Sequence, residues 1–323
     1  SLGGNSIRTW GSDNQKTLLD DSHKLGISVT LGYWMGHARH GFSYEDPKQV
    51  ADQQAKFEAA VKEYRSHPAV LMWAVGNEME LGQADDGNPN LWRAIEAAAA
   101  AAKRLDPSRP TMTVLAELGS NKISSINKLC PSIDIIGLNS YGGAASIVKR
   151  YRDQGGKKPI ILTEFGPAGQ WEVGKTDWGA PMELTSTQKA DAYRNAYQKF
   201  VTDNPDLALG SYAFLWGNKQ EATATWYGML LPDGTPVAAA EAMGEIWSGK
   251  KPANRVPVIE KFEVVGSPKV SPGAELKVIL SAKDPDGDPL KAEWHLLTES
   301  TEAGTGGDAE KVQEQVKGAV IQA

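Results

Sequence analysis

The stretch VLMWAVGNEME, residues 70–80, runs apolar from Val70 to Val75 and then turns abruptly to Gly76, Asn77 and Glu78. Six apolar residues in a row, β-branched at both ends and aromatic at Trp73, predict a strand buried on both faces. An amide and a carboxylate at the end of such a strand have few packing reasons to be there. In parallel α/β folds chemistry gathers at the carboxyl ends of strands. Glu78 is therefore read as a catalytic acid, and the rest of the chain must supply its partner.

Outward from this stretch the same unit repeats. Upstream, residues 6–10 predict a short strand ending in Arg8, Thr9 and Trp10, residues 14–25 a helix stopped by Gly26, residues 27–34 a strand, and residues 47–64 an amphipathic helix. Downstream, the Gly/Asp/Asn/Pro-rich loop 81–90 leads into an Ala-rich helix, 91–105, ended by Asp106-Pro107. Strands follow at 112–117, 133–141, 159–165 and 209–216, with helices at 121–129, 144–154, 187–201 and 237–247. Apolar strands alternating with helices make the (β/α) pattern of a parallel barrel or a doubly wound sheet. No Gly-x-Gly-x-x-Gly follows any strand, against a dinucleotide-binding sheet. The expected fold is an eight-stranded (β/α)8 TIM barrel over residues 1–250 whose first strand lies upstream of Ser1.

Beyond Lys250 the pattern changes to period-two alternation punctuated by Pro252, Pro257, Pro268 and Pro272, as in IEKFEVV (259–265) and ELKVILSA (275–282). Residues 251–323 are expected to form part of a small all-β, immunoglobulin-like sandwich. DPDGD at 284–288 is read as turn chemistry.

The formal net charge of −6 and the apolar content of 41% fit a globular chain with no basic stripe for nucleic acid. No apolar run approaches the ~20 residues of a membrane span. The single cysteine, Cys130, rules out an intramolecular disulfide and says little about compartment. Nothing in the sequence bears on oligomeric state.

The partner for Glu78 is Glu164, near the end of PIILTEF. Two carboxyls facing each other across one mouth of a barrel suit glycoside hydrolysis: one protonates the leaving oxygen, while the other attacks the anomeric carbon or activates water. This chemistry needs neither metal nor cofactor. His37 and His40 have no evident third ligand and do not make a metal site.

GNSIRTW (4–10), HPAVLMWAVGNE (67–78), IDIIGLNSYG (133–142), PIILTEFG (159–166) and SYAFLWG (211–217) are similar to the second, fourth, sixth, seventh and eighth strands of clan A glycoside hydrolases. The barrel resembles most the catalytic domain of family 2, with echoes of family 5. The resemblance implies a retaining β-glycoside hydrolase with Glu78 as general acid/base and Glu164 as nucleophile. It further implies that Asn77 hydrogen-bonds the sugar 2-hydroxyl and that Arg8 holds the nucleophile ionised. Tyr141 would lie beside it, and Trp216 would stack on the sugar. His37 matches a sugar-binding histidine of family 5 relatives. Trp34, Trp171, Trp178, Trp226 and Tyr227 are candidates for outer subsites, whereas Glu80, Glu117, Glu172 and Glu221 are read as loop charges.

The aromatic loops and WGNKQEATATWYGM (216–229) resemble bacterial polysaccharide-degrading enzymes, including β-1,3-glucanases, so the expected substrate is a β-glucan. That resemblance also implies secretion or a periplasmic location in a bacterium. A transglycosylase using the same residues and a non-catalytic carbohydrate-binding barrel are the alternatives.

Overall fold

Seven parallel strands, each followed by helix or loop, organise the computed structural model, which describes residues 2–82, 88–300, 304, 308–318 and 320–321. In chain order these are β1 (Ser6–Arg8), α1 (Lys16–Lys24), β2 (Ser28–Tyr33), α2 (Pro47–Tyr64), β3 (Val70–Val75), α3 (Pro89–Leu105), β4 (Thr111–Ala116), α4 (Lys122–Leu129), β5 (Ile135–Asn139), α5 (Ala144–Asp153), β6 (Ile160–Glu164), α6 (Ser186–Tyr197) and β7 (Ala208–Ser211). Sheet order follows chain order from β1 to β7, and every pairing is parallel. Of the loop 81–90, residues 83–87 lie outside the described residues.

The helix boundaries have local causes. Pro47 and Pro89 each occupy a first helical turn, where no N–H partner is needed. Asp46 caps α2 by accepting the N–H groups of Lys48 (2.9 Å) and Gln49 (3.3 Å). The strands alternate two buried sets. Met72, Ala74, Met112, Val114, Ile135 and Ile161 form one cluster. Their strand neighbours Trp73, Val75, Leu115, Ile136, Ile160 and Leu162 are equally buried. Both faces of the sheet are thus covered, as the unbroken apolar runs predict.

The sheet is strongly curled. Arg8 on β1 donates to Glu164 on β6 at 3.1 Å, although a flat sheet would hold strands five places apart at about 24 Å. The Ser6 and Thr30 hydroxyls lie 3.1 and 2.6 Å from the Tyr212 hydroxyl, just past β7, closing the same curve.

The chain divides into two compact units. One comprises residues 4–165 and 196–213 and contains the whole seven-stranded sheet. The other groups residues 166–195 and 214–323 with the first three. In this second unit α7 (Ala238–Ser248) packs through Ala238 and Ala242 against Ala190 and Val256.

Two expectations change. The strand expected over 209–216 leaves the sheet after Ser211, because residues 215–217 bond elsewhere. Leu215 N–H donates to the Tyr227 carbonyl (3.3 Å), and the Met229 and Leu230 N–H groups donate to Leu215 (3.2 Å) and Gly217 (3.1 Å). No sandwich forms among the described residues. Its C-terminal part holds one antiparallel pair, β8 (Val258–Val265) with β9 (Lys277–Lys283), and an isolated bridge, Leu297 to Gln315. The period-two alternation did specify strands, but among the described residues no second sheet covers them, and Phe262 is 57% exposed. In DPDGD the Asp284 carboxylate accepts the N–H groups of Asp286 (2.8 Å) and Asp288 (3.2 Å), which is turn chemistry. None of the described helices is long and apolar enough to cross a membrane.

Candidate active site

β3 ends at Val75, and the turn behind it carries the candidate acid. Gly76 (φ 74°) and Glu78 (φ 54°) both adopt left-handed backbone. Glycine does so freely, whereas for glutamate it costs about 1–2 kcal/mol, a strain typical of functional turns. The turn is tied down by Gly76 N–H to the Tyr33 carbonyl (3.0 Å) and Glu78 N–H to the Val114 carbonyl (2.9 Å). The adjacent strands β2 and β4 therefore hold Asn77 and Glu78 in place.

Glu164 closes β6 and is buried, 7% exposed. Its Oε1 accepts from the Arg8 guanidinium (3.1 Å) and the Trp10 indole N–H (2.8 Å), and its Oε2 accepts from the Tyr141 hydroxyl (3.0 Å). Arg8 also donates to the Thr163 carbonyl (3.1 Å) and to the Asn77 side-chain oxygen. Asn139, the last residue of β5, joins the two halves. Its amide donates to Glu78 Oε1 (2.8 Å) and to Asn77 Oδ1 (3.2 Å), and its own Oδ1 accepts from Thr163 (2.7 Å). One connected network, drawn from the ends of β1, β3, β5 and β6, thus holds both carboxylates.

The electrostatics of Glu78 follow from this network. Burial, and then the nearby negative charge of Glu164, push its carboxyl up to about 8, with a further push from Glu80. The Asn139 hydrogen bond and the Arg8 charge act the other way without reversing the shift. At neutral pH Glu78 therefore holds a proton that it can give. Glu164 is met by a cation and two neutral donors.

Two carboxyl groups held at the strand ends of a curled parallel sheet, one of them protonated at neutral pH, are what family assignment has to explain. Residues 5–204 match the glycosyl hydrolases family 2, TIM barrel domain. The chain belongs to glycosyl hydrolase family 2.

Relatives of this family 2 chain include a β-glucuronidase from Paenibacillus borealis, 25% identical over 76% of the chain and 43% of the relative. The human β-glucuronidase is 37% identical over 51% of the chain and 26% of its own length. Among solved structures, the β-D-glucuronidase of Dictyoglomus thermophilum superposes with a TM-score of 0.60 at 22% identity, over 77% of the chain and 45% of that structure. A family 2 β-galacturonidase from Eisenbergiella tayi, bound to galacturonate, gives 0.58 at 17% identity over 77% and 45%. At these identities the structures establish the shared fold. The chain spans less than half the length of the curated relatives it matches. These relatives are named for uronides, against the β-glucan expected from the sequence.

Of the residues expected at the site, Arg8, Asn77, Glu78, Tyr141 and Glu164 come together in the network above. Trp34 and His37 lie in the same unit, stacked on each other with ring centroids 4.8 Å apart. His37 is buried and Trp34 is 41% exposed. Trp171 and Trp216 belong to the other unit, where they are 60% and 59% exposed. Trp178 is also exposed there and lies under the Lys269 ammonium at 5.9 Å.

Some readings need correcting. Trp226 and Tyr227 are buried, not subsite platforms: Trp226 Nε1 donates to the Ala168 carbonyl (3.0 Å), and the Tyr227 hydroxyl to Gln170 (2.7 Å). Glu80 is no loop charge but sits buried in an ion pair with Lys122 (2.8 Å). Glu221 is likewise buried and pairs with Lys219, while Glu117 pairs with Arg150 at 2.8 Å. Glu172 is exposed and accepts the Gly169 N–H (2.7 Å).

Trp10 and Asn139 were missed. Each stands at the end of a strand whose neighbour was singled out, Arg8 and Tyr141. That position was the available signal.

Proposed function

We propose that this chain carries the catalytic residues of a retaining β-glycoside hydrolase, with β-glucuronides as the substrate class. The observation that carries the reading is the unequal pair: a protonated Glu78 and a cation-paired Glu164 joined by one hydrogen-bond network. Family membership and the names of the curated relatives support the reaction and the uronide.

In the first step a Glu164 oxygen attacks the anomeric carbon, the glycosidic C–O bond breaks, and the departing oxygen takes the proton of Glu78. Esterification removes the negative charge of Glu164, one of the causes of the high pKa of Glu78. Glu78 then becomes the stronger acid and stands ready, ionised, to take a proton from water. That water attacks the anomeric carbon and releases Glu164, so the configuration is retained. Asn77, held by Arg8 and Asn139, is the amide for the sugar 2-hydroxyl.

The test is turnover of a panel of aryl β-glycosides (glucuronide, galacturonide, glucoside, galactoside, mannoside and xyloside) by the full-length protein. Preference for the glucuronide with retained configuration is expected. Preference for a neutral sugar would overturn the substrate class, and an inverted product would overturn the double displacement. Product analysis with excess acceptor sugar separates hydrolysis from glycosyl transfer.

A further inference from the structure

Two residues beyond Glu78 stands a second carboxylate that the reaction above does not use. Glu80 is 4% exposed. Its Oε1 accepts the Ala116 N–H at 2.7 Å and the Lys122 ammonium at 2.8 Å. Lys122, the first residue of α4, is itself buried and donates again to the carbonyls of Ala116 (2.9 Å) and Glu117 (3.2 Å). Glu80 Oε2 is buried and accepts no hydrogen bond from the described residues. A buried ion pair is a poor device for stability alone, since apolar residues of similar volume serve as well or better. Its position offers another purpose.

The turn from Gly76 to Glu80 lies along the end of β4, bonded at two alternate residues. Glu78 N–H meets the Val114 carbonyl, and the Glu80 carboxylate meets the Ala116 N–H. Between these two anchors sits the left-handed backbone of Glu78, which relaxes unless its surroundings hold it. We propose that Glu80 and Lys122 are positioning residues for Glu78: the pair clamps the turn that carries it onto β4 and sets the electric field at its carboxyl. The inference rests on the reading of Glu78 as the proton donor.

The groups bearing on Glu78 are few enough to assign. Arg8 reaches in from β1, Asn139 from β5 and Glu164 from β6, with Tyr141 bonded to Glu164. Glu80 acts from its own turn, and behind it lie Lys122 on α4 and the Glu117–Arg150 pair. Glu80 and Lys122 bear opposite charges, so removing each must act on Glu78 with opposite sign. A purely structural role has no such signature.

The experiment compares pH profiles of kcat/KM for wild type, Glu80→Gln, Lys122→Met and Lys122→Arg in the full-length protein. The basic limb should fall by about half a pH unit in Glu80→Gln and rise by a smaller amount in Lys122→Met, whose charge lies behind Glu80. Both variants should lose about tenfold in kcat/KM from a loosened turn. Lys122→Arg, which keeps the charge, should return the limb to its wild-type position. Limbs that coincide, or that move together, would overturn the inference. If Lys122→Met does not fold, the charge-free double variant Glu80→Gln/Lys122→Met replaces it, with a limb expected between those of Glu80→Gln and wild type; a wild-type limb there would overturn the inference equally. Failure of the functional reading looks different: Glu78→Gln would then turn over an unactivated glycoside at the wild-type rate, and this inference would fall with it.

Discussion

Glu78 and Glu164 are the same residue type at the ends of two strands of one sheet, yet they are held in opposite ways. Glu164 ends a strand in regular backbone and receives a guanidinium, an indole N–H and a phenol. Glu78 stands in a left-handed turn, with the Asn139 amide as its hydrogen-bond donor and two carboxylates for neighbours. Burial first, and then the two neighbouring carboxylates, let Glu78 keep its proton, whereas Glu164 is met by a guanidinium. The contrast teaches that a carboxylate's role is written in its surroundings.

The sharpest way to break the comparison is to remove each member in turn. Glu164→Gln should cost about four orders of magnitude or more in kcat on any aryl β-glycoside, because a neutral amide cannot form the covalent bond. Near-normal turnover would end the nucleophile assignment. Glu78→Gln should cost about 10²–10⁴-fold on a substrate whose leaving group needs a proton. With a strongly acidic phenol as leaving group, formation of the glycosyl-enzyme should recover largely in Glu78→Gln and not at all in Glu164→Gln. Equal losses on both substrates would erase the distinction drawn here.

A thermodynamic measurement sharpens it. In the folded chain Glu78 keeps its proton up to about 8. Unfolded, it releases the proton near about 4.3. Between those values the native state binds the extra proton, so this group's contribution to stability is full below the lower value and lost as pH rises to the upper one. Glu78→Gln has no proton to lose. Its unfolding free energy should match wild type near pH 4 and exceed it increasingly toward pH 8, by an amount on the order of a few kcal/mol. A constant difference across that range would contradict the assigned shift. The smallest expected effect is that of Trp10→Phe, which keeps the ring and removes one donor to Glu164, and should lower kcat by about tenfold.

Much of the fold was legible because its code is local. Apolar runs such as PIILTE and alternating helical faces name a parallel α/β sheet without any long-range information, and Pro47 and Asp46 mark a helix start by chemistry within one turn. Reading failed where a local pattern had two outlets. YAFLW is as apolar as any strand, yet residues 215–217 pair with 227–230 rather than with β6. The alternation of IEKFEVV specified a strand but could not say whether a second sheet covers it. Trp226 and Tyr227 resembled loop aromatics and are buried, since burial depends on what the loop folds against.

The sequence by itself determined that apolar strands end in polar residues, and that two of those residues are Glu78 and Glu164. Strand-end chemistry follows from the period and direction of the chain. Only the tertiary structure decided which groups meet them. Trp10 reaches Glu164 across 154 positions, and Asn139 reaches Glu78 across 61. Such contacts exist because the sheet curls, and the curl is a property of all seven strands together. The same holds for protonation: a glutamate's charge state is set by the desolvation and the neighbouring charges that folding assembles around it. VLMWAVGNEME names the acid, and β1, β5 and β6 decide what it does.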